Sequence, residues 1–403
     1  MATPASELDL PELPFQRDDE YREALRRGKQ DGHWLFRSVL GYAVASYDDS
    51  LGILRDKRWH NASSRIPEMM GITRSEFLDR QRVSILSAEG ELHTRLRRLV
   101  APAFSPRSAD RLRPFMREVI NGLIDPVASA GRADFVADVT EPYPIPIICE
   151  LLGAPKSDWQ LFSRLASDVL EIFSADLAQK LDKVMQAQNE LDAYTLDLIA
   201  ERRAKPADDL LTDLIAAEEA GDRLSTDELV MMVQAVIVGG TDTTRNQLGC
   251  SVALFSEHPD QWALLAERPD LAPRAVEETM RYFGAVRSTG RFASEDIEYK
   301  GIVFPKGTLV TPALALANRD ESVFPEPTTF DITREPSGQP QMTFGSGIHY
   351  CLGAALARAE QQEALPILAA RLRNMKIDGG ITWKPSTVAI YGPEKLPLVF
   401  DPS

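Results

Sequence analysis

The chain has 403 residues, of which 44% are hydrophobic and 26% are charged, as is ordinary for a soluble globular protein. Its net charge of −15 argues against a general nucleic-acid binder, because such a protein needs a basic face to displace counterions. No apolar run approaches the ~20 residues that span a bilayer, and the acidic N-terminal segment lacks a signal-peptide core. Three widely spaced cysteines predict no disulfide framework. We therefore expect a self-repelling monomer in the cytoplasm, without a membrane anchor.

Hydrophobic periodicity predicts a mainly helical chain. Apolar residues recur at helical spacing in residues 111–128, 187–203, 226–256, 273–282 and 352–373. Strand signals are sparse and occur in residues 36–45 and 296–312. A proline-rich stretch without periodicity covers residues 318–341. We predict one domain over residues 1–403, mainly α with a small β part near the N-terminus.

A basic segment runs from His93 to Arg98. His93 and Arg97 are four residues apart and therefore share one helix face, whereas Arg95 and Arg98 project from other faces. The pattern by itself is equally typical of a solvated basic surface.

Two adjacent glycines, Gly239 and Gly240, interrupt the predicted helix 226–256 and are followed by Asp242 and Thr243. Each glycine costs roughly 1 kcal/mol relative to alanine inside a helix, so a local use for the pair is expected. One interpretation is that a ligand lies against the backbone, with Asp242 and Thr243 relaying protons at a local helix distortion. The alternative is a close crossing by another helix.

A charged pair, Glu278 and Arg281, lies within the predicted helix 273–282. The spacing of three residues places both side chains on one helix face. Taken alone, the pattern favours a surface ion pair of little energetic weight.

The segment from Phe344 to Gly353, FGSGIHYCLG, places a cysteine directly before a predicted helix. Gly345 and Gly347 permit backbone conformations that are barred to other residues. At the helix N-terminus, free amides and the helix dipole favour an anion, so we expect the Cys351 thiol to ionise. An ionised cysteine serves either as a nucleophile, with His349 as its base, or as a metal ligand.

Together, these four segments resemble the cytochrome P450 family in its soluble bacterial form. The resemblance extends from about residue 85 to residue 360. The haem-binding signature of the family is matched at Phe344, Gly347, His349, Cys351 and Gly353. Its Glu-x-x-Arg pair is matched by Glu278 and Arg281, and its oxygen-activation segment by Gly239, Gly240, Asp242 and Thr243.

The resemblance implies a cytochrome P450 fold, with haem b between the long central helix and the helix that follows the cysteine. It implies that Cys351 is the thiolate ligand of the iron, with Phe344 packed beside it. The positions that match propionate contacts are His93, Arg97, Arg291 and His349, whose donors suit carboxylates. Further haem contacts are implied at Gly239, Phe344, Gly347 and Gly353. Asp242 and Thr243 match the acid–alcohol pair that delivers protons to dioxygen, whereas Glu278 and Arg281 match a structural pair.

Two departures from the family pattern stand out. Thr329 occupies a position where many members have an arginine that joins the Glu278–Arg281 network, so we expect this network to be connected differently. The segment from Glu89 to His93 lacks the prolines that often precede the histidine, which weakens the assignment of His93 relative to that of Arg97.

The implied reaction inserts one oxygen atom from O2 into a small hydrophobic substrate. Electrons would come from an external ferredoxin and its NAD(P)H-dependent reductase. We predict substrate contacts at Leu86, Ala235, Val238, Gly239, Val286 and Ile390. Five arginines form a basic cluster in the sequence, namely Arg95, Arg98, Arg107, Arg111 and Arg113. If this cluster lies near the cysteine, it would dock the ferredoxin. The alternatives are a peroxygenase that uses hydrogen peroxide, a haem sensor without turnover, and a thiol enzyme without haem.

Overall fold

The computed structural model describes residues 3–14, 19–174, 176–219, 224–386 and 390–402. In this part of the chain the helices are α1 Asp19–Gln30, α2 Tyr47–Arg55, α3 Ile66–Met69, α4 Ser75–Val83, α5 Gly90–Val100, α6 Pro106–Ala128, α7 Pro144–Leu152, α8 Trp159–Leu170, α9 Leu177–Ala204, α10 Leu210–Glu219, α11 Thr226–Ser256, α12 Pro259–Glu267, α13 Ala272–Phe283, α14 Leu314–Ala317 and α15 Ala354–Arg371. The strands are β1 Thr3–Pro4, β2 Leu35–Ser38, β3 Gly41–Val44, β4 Trp59–Asn61, β5 Arg132–Asp134, β6 Arg291–Ala293, β7 Ile297–Tyr299, β8 Ile302–Phe304, β9 Leu309–Pro312, β10 Lys376–Ile377, β11 Thr382–Trp383, β12 Pro393–Lys395 and β13 Pro397–Val399. The prediction of a mainly α fold with a small β part is confirmed.

Capping residues explain where the longest helices begin. The Ser225 hydroxyl accepts a hydrogen bond from the Glu228 amide, and the Glu228 carboxylate accepts one from the Ser225 amide. This capping box satisfies free amides at the start of α11, whose bounds are those predicted from periodicity. Helix α6 begins before its predicted start because the Ser105 hydroxyl caps it, 3.3 Å from the Ser108 amide.

The strands form one five-stranded sheet and three smaller ones. The large sheet has the order β2-β3-β9-β6-β4, in which β3 and β9 are parallel and the other neighbours are antiparallel. Its β4–β6 pairing aligns Asn61 with Arg291. Strands β2 and β3 of the first predicted region therefore join β9 of the second in one sheet, whereas β7 and β8 of the second form a separate sheet with β1. The β part is thus not confined to the N-terminal region.

The largest cluster of buried apolar side chains holds α11 and α15 in place. Helix α15 packs against α6, and α11 packs against α7 and α8. Fully buried members include Ile120 of α6, Ile147 of α7, Leu248 of α11 and Leu365 of α15. Burying each of these side chains stabilises the fold by about 1.5–3 kcal/mol. Within the described ranges, no helix is both long enough and apolar enough to cross a bilayer.

Candidate active site

A cavity of about 340 Å³ lies between α11, α15 and the loop that precedes α15. Small-molecule sites typically have volumes of ~300–1,000 Å³. Most residues predicted for the site line this cavity, namely Leu86, His93, Arg97, Ala235, Gly239, Thr243, Val286, Arg291, Phe344, His349, Cys351 and Gly353. The fold therefore brings segments that are distant in the sequence to one enclosed space.

The loop that carries Cys351 is closed by hydrogen bonds within its own backbone. The Cys351 amide donates to the Phe344 carbonyl oxygen at 2.9 Å, and the Tyr350 amide donates to that of Gly347 at 3.1 Å. Gly347 has φ +72°, and a Cβ at this position would collide with the Leu54 carbonyl oxygen. Only glycine fits there, so this residue shapes the loop from behind and is not part of the cavity lining.

Burial opposes ionisation of the Cys351 thiol in the protein alone. It raises the pKa of Cys351, although a hydrogen bond from the Gly353 amide and the charges of Arg97 and Arg358 act in the opposite direction. Helix α15 begins only at Ala354. The expectation that the helix terminus by itself ionises this cysteine is therefore wrong, and a bound metal cation would have to supply the missing stabilisation.

His349 is not placed as a base for the cysteine. Its Nε2 atom donates to the Glu89 carboxylate at 2.9 Å, and its ring lies 4.5 Å from the ring of His93. A nucleophilic cysteine needs a base within hydrogen-bonding reach. The interpretation of Cys351 as a metal ligand is therefore the better supported of the two.

Two arginines in the cavity wall have no carboxylate partner among the described residues. Arg291 is 2% exposed, and its Nη1 atom donates to the Thr289 hydroxyl at 3.0 Å and the Gly290 carbonyl oxygen at 2.8 Å. Arg97 donates to the Tyr350 carbonyl oxygen at 2.7 Å. Burial lowers the pKa of Arg291 to about 10. A buried cation without a counterion is costly, so this wall is suited to an anionic ligand.

His93 belongs to the same wall. It is 3% exposed, and burial, followed by the charges of His349 and Arg97, lowers its pKa to about 4. The side chain is therefore neutral near pH 7 and retains one N–H donor. The sequence supports a propionate contact less firmly for His93 than for Arg97, yet both residues line the cavity.

The adjacent glycines of α11 serve two different purposes. No atom lies within 4 Å of a Cβ built on Gly239, which faces the open cavity. A Cβ on Gly240 would collide with Ile148, whose Cγ1 atom would be 2.8 Å away. Gly240 therefore permits the close crossing of α7, while Gly239 leaves room for a ligand, so both interpretations of this segment apply.

Thr243 and Asp242 project to different sides of α11. The Thr243 hydroxyl faces the cavity and donates to the Gly239 carbonyl oxygen at 2.9 Å. Asp242 is 4% exposed and lies outside the lining, 2.7 Å from Arg245 Nε and 3.5 Å from Lys384 Nζ. Neighbouring helix residues are rotated by about 100°, so the two side chains cannot share one face. The expected helix distortion is also absent, since α11 is continuous through this segment.

Two predicted substrate contacts lie elsewhere. Val238 is buried in the hydrophobic core, because it is five positions from Thr243 and therefore about 140° around the helix. Met232 and Val236 occupy the cavity face in its place. Ile390 pairs with Val286 in an isolated β-bridge and is outside the described lining.

Glu278 and Arg281 form a buried pair, which contradicts the surface interpretation. Their exposures are 4% and 3%, and two parallel hydrogen bonds of 2.7 and 2.8 Å join them. Arg281 also donates to the carbonyl oxygens of Asn318, Pro327 and Thr329. The pair thus fixes residues 318–341, which contain no helix or strand of their own.

Arg334 completes this network. Its Nε atom donates to the Glu278 carboxylate at 3.1 Å, and its other nitrogens donate to the carbonyl oxygens of Pro325, Glu326 and Thr329. An arginine therefore does join the network, and it comes from five positions beyond Thr329. A loop can supply the same donor from a different position because only its spatial location matters.

Glu360 is a cavity residue that sequence reasoning missed. It is 1% exposed, and its Oε2 atom has no hydrogen-bond partner among the described residues. Burial raises the pKa of Glu360 well above its ordinary value, because a charged carboxylate would be poorly solvated there. In the sequence, Glu360 resembles the exposed charged residues of the same helix, α15. Only its buried position in the tertiary structure distinguishes it from them.

Phe344 lies beneath a fixed positive charge. The Arg358 guanidinium is 4.5 Å from the centre of its ring and forms an ion pair with Glu277. Arg358 also donates to the Tyr350 hydroxyl at 3.0 Å. A cation over an aromatic face stabilises the ring position, so Phe344 is held firmly beside Cys351.

Comparison with known proteins gives one consistent result. The family model described as Cytochrome P450 matches residues 57–374. Luteothin monooxygenase of Streptomyces thioluteus is 36% identical over 404 residues, with 99% of this chain and 98% of the relative aligned. The 6-deoxyerythronolide B hydroxylase of Saccharopolyspora erythraea is 33% identical, with 89% and 90% aligned. The crystal structure of myxobacterial cytochrome P450 CYP267B1 with myristic acid has a TM-score of 0.86 and 34% identity, over 94% of this chain and 96% of that one.

Proposed function

The chain belongs to the cytochrome P450 family, and from this premise we propose that it inserts one oxygen atom from O2 into a small hydrophobic substrate. Its curated relatives are named as monooxygenases and hydroxylases, and the chain is an oxidoreductase of this family. The observation that carries the proposal is the shared wall of one cavity, where Cys351 lies with the unpaired guanidinium groups of Arg97 and Arg291.

The residues of this wall fit haem b. In our proposal the Cys351 thiolate would hold the haem iron, and its buried position suits a site where the metal, not water, would compensate the thiolate charge. Arg97, Arg291, His93 and His349 would hold the two propionates, which are the counterions that the arginines lack. When bound, haem supplies the iron at which dioxygen is reduced and cleaved.

Proton delivery is assigned to α11. The Thr243 hydroxyl faces the cavity and donates to the Gly239 carbonyl oxygen, so its lone pairs are available to accept a hydrogen bond. To pass its proton into the cavity, the hydroxyl must rotate away from Gly239 and receive another proton in return. Asp242 is proposed as the acid that resupplies it. Because Arg245 and Lys384 bind its carboxylate, Asp242 must release at least one of them to reach Thr243.

An uncharged, apolar substrate is supported by the remainder of the lining. Apolar side chains of the lining include Ile85, Leu86, Met232, Ala235, Val236 and Val286. The ionisable side chains of the lining are those assigned above, together with Glu360, whose pKa burial raises, and the Tyr350 phenol. A substrate with a permanent charge would find no counterion here, which makes it a poor fit.

The proposed electron donor is a ferredoxin, reduced by an NAD(P)H-dependent reductase. Of the basic cluster, Arg95 pairs with Glu228, and Arg113 with Asp110 and Glu363. The other three arginines are exposed and form no ion pair with the described residues, namely Arg98, Arg107 and Arg111. Arg98 shares a surface groove with Ile348 of the cysteine loop, so this positive charge lies on the side from which electrons would reach the iron.

We also propose that the chain works as one cytoplasmic domain. The support is indirect: its three cysteines are free, as in a reducing compartment, and its net charge of −15 disfavours self-association.

The deciding experiment measures turnover and the haem spectrum together. The purified protein, loaded with haem, should show the carbon monoxide band of thiolate-ligated haem, and Cys351→Ser should abolish that band. With a surrogate ferredoxin and reductase, a library of apolar compounds should yield oxygenated products. Turnover with hydrogen peroxide but not with ferredoxin would favour a peroxygenase. Bound haem without any product would favour a sensor, and a protein without a Soret band would point to a thiol enzyme.

A further inference from the structure

We propose that Glu89 is a positioning residue that holds the four proposed propionate-binding side chains in one frame. The proposal rests on the haem site argued above. It assigns to Glu89 no contact with haem, substrate or oxygen. The carboxylate acts through other residues, because it joins the three chain segments from which His93, Arg97, Arg291 and His349 arise.

Glu89 has the position of a capping residue but uses its side chain differently. It is the N-cap of α5, yet its side chain forms no hydrogen bond to the free amides of that helix. Its Oε1 atom instead accepts hydrogen bonds from the Asn61 amide at 2.6 Å and from His349 Nε2 at 2.9 Å. A capping bond of about 1 kcal/mol is thus given up for a link between distant segments.

Each of these links leads to one of the proposed ligand-binding groups. Helix α5, which starts directly after Glu89, carries His93 and Arg97. Asn61 is the residue of β4 that pairs with Arg291 of β6. The bond to His349 occupies Nε2 and leaves Nδ1 as the ring nitrogen that faces a cavity ligand, to which it donates when the ring carries both protons. One carboxylate therefore fixes the distances between donors on α5, β6 and the cysteine loop.

The carboxylate itself lies behind the cavity wall. Asn61 and His349 line the cavity, whereas Glu89 lines the neighbouring surface groove with Lys57, His60 and Arg98. Burial raises the pKa of Glu89, but hydrogen bonds from His349 and Asn61 outweigh that effect, so the pKa is lowered and the group is ionised. Removal of the hydrogen-bond partner of a metal-ligating histidine commonly lowers metal affinity by about 10–100-fold, and we expect an effect of the same order for a histidine that holds a cofactor carboxylate.

The test compares Glu89→Ala, Glu89→Gln and Glu91→Ala in the haem-loaded protein. Glu91 is an exposed carboxylate of the same helix and groove, so its removal changes the net charge equally. We expect Glu89→Ala to transfer haem to excess apomyoglobin about 10–100-fold faster than the parent. Glu89→Gln, which keeps an acceptor oxygen, should stay close to the parent, and so should Glu91→Ala. Thermal unfolding of the haem-free proteins should not separate Glu89→Ala from Glu91→Ala.

Several results would overturn the role of Glu89. These are an unchanged transfer rate in Glu89→Ala, equal acceleration by Glu91→Ala, or failure of Glu89→Gln to rescue. If Glu89→Ala does not fold, Glu89→Asp keeps the charge but withdraws the oxygen by one methylene, and it should also accelerate transfer. A parent protein that binds no haem would contradict the proposed function itself. If the parent and Glu89→Ala both bind haem and lose it to apomyoglobin at the same rate, only this inference is contradicted.

Discussion

Around Cys351 the cavity wall consists of side chains that distant segments hold through hydrogen bonds and ion pairs, whereas along α11 it consists of apolar side chains, two glycines and the uncharged polar residues Thr243, Thr244 and Gln247. Phe344 is pinned by Arg358, and His349 by Glu89. Leu86, near the opposite wall, remains 41% exposed. The first wall is thus preorganised for one cofactor, while the second can change its shape by single apolar substitutions. Catalytic chemistry and substrate choice are in this way placed on different parts of the molecule.

The largest effect is expected from Glu278→Ala, which breaks the support of the polar wall. It leaves the Arg281 guanidinium, 3% exposed, without its carboxylate. We expect a loss of about 3–5 kcal/mol in the free energy of unfolding. Glu277→Ala, next to it, removes a half-exposed partner of Arg358 and should cost no more than about 1 kcal/mol. If urea unfolding shows that both variants lose the same free energy of unfolding, the distinction between the buried and the half-exposed ion pair is contradicted.

Thr243→Ala tests the polar side chain of α11 that faces the cavity and is proposed to pass protons into it. We expect product formation to fall by about 100-fold, because the hydroxyl that passes protons is removed. NAD(P)H oxidation should continue, with hydrogen peroxide released in place of product. Thr243→Ser keeps the hydroxyl and should form as much product per NAD(P)H oxidised as the parent does. Unchanged product yield per NAD(P)H in the alanine variant would remove the relay.

The two glycines of α11 separate packing from ligand space. Gly240→Ala forces a methyl group against Ile148 and should destabilise the protein by about 1–3 kcal/mol. Gly239→Ala meets no atom within 4 Å and should gain up to about 1 kcal/mol from helix propensity. Its methyl group enters the cavity, so binding of apolar ligands should change instead. Thermal unfolding of both variants measures the change in stability, and ligand titration measures the change in binding. Similar melting temperatures would contradict the assignment of Gly240 to helix packing and of Gly239 to ligand space.

Glu360→Gln gives a pH-dependent effect. Since the folded protein raises the pKa of Glu360 above the ordinary value of 4.5, the folded state binds the extra proton. The stability of the parent therefore falls as pH rises from that value towards the folded-state pKa, by at most about 1.4 kcal/mol per pH unit. Glutamine does not titrate. The melting temperature of the variant relative to the parent should rise between pH 5 and pH 8, while that of Glu91→Gln should not.

The smallest effect is expected outside the cavity, from Arg98→Glu. The ferredoxin should bind more weakly, and electron transfer at low salt should slow by up to about tenfold. The dependence of the rate on salt should also become weaker, because one charge pair is lost. Lys376→Glu, an exposed charge reversal on β10, is the matched control. If both variants transfer electrons at the rate of the parent, the basic cluster is not the docking surface.

Local patterns in the sequence were sufficient for several long helices and for the centre of the site, but not for shorter elements such as α7 and α8. The bounds of α11 follow from its periodicity and from Ser225 and Glu228, which lie within four residues of each other. The cysteine loop is similarly local, since Gly347 and the Cys351–Phe344 hydrogen bond lie within a few residues. Short-range hydrogen bonds and steric limits act on neighbours in the chain, so residue types at fixed spacing reveal them.

Helix phase and distant pairing were harder to read. Val238 lies on the wrong side of α11 for the substrate contact first assigned to it, and Asp242 lies on a different side from Thr243, because one residue turns a helix side chain by about 100°. The strands near residues 42 and 310 pair with each other although they are predicted separately. Nothing within either segment specifies its partner.

The sequence by itself determined the family, the cysteine ligand proposed for haem and most side chains of the cavity wall, since these depend on short motifs. Only the tertiary structure decided that Arg334 completes the Glu278–Arg281 network, that Glu360 is buried with a raised pKa, and that Glu89 binds His349. Each of these depends on where a loop or a helix face meets a segment far away in the chain. Such contacts are set by packing, which buries one charged side chain and exposes another of the same type a few residues away.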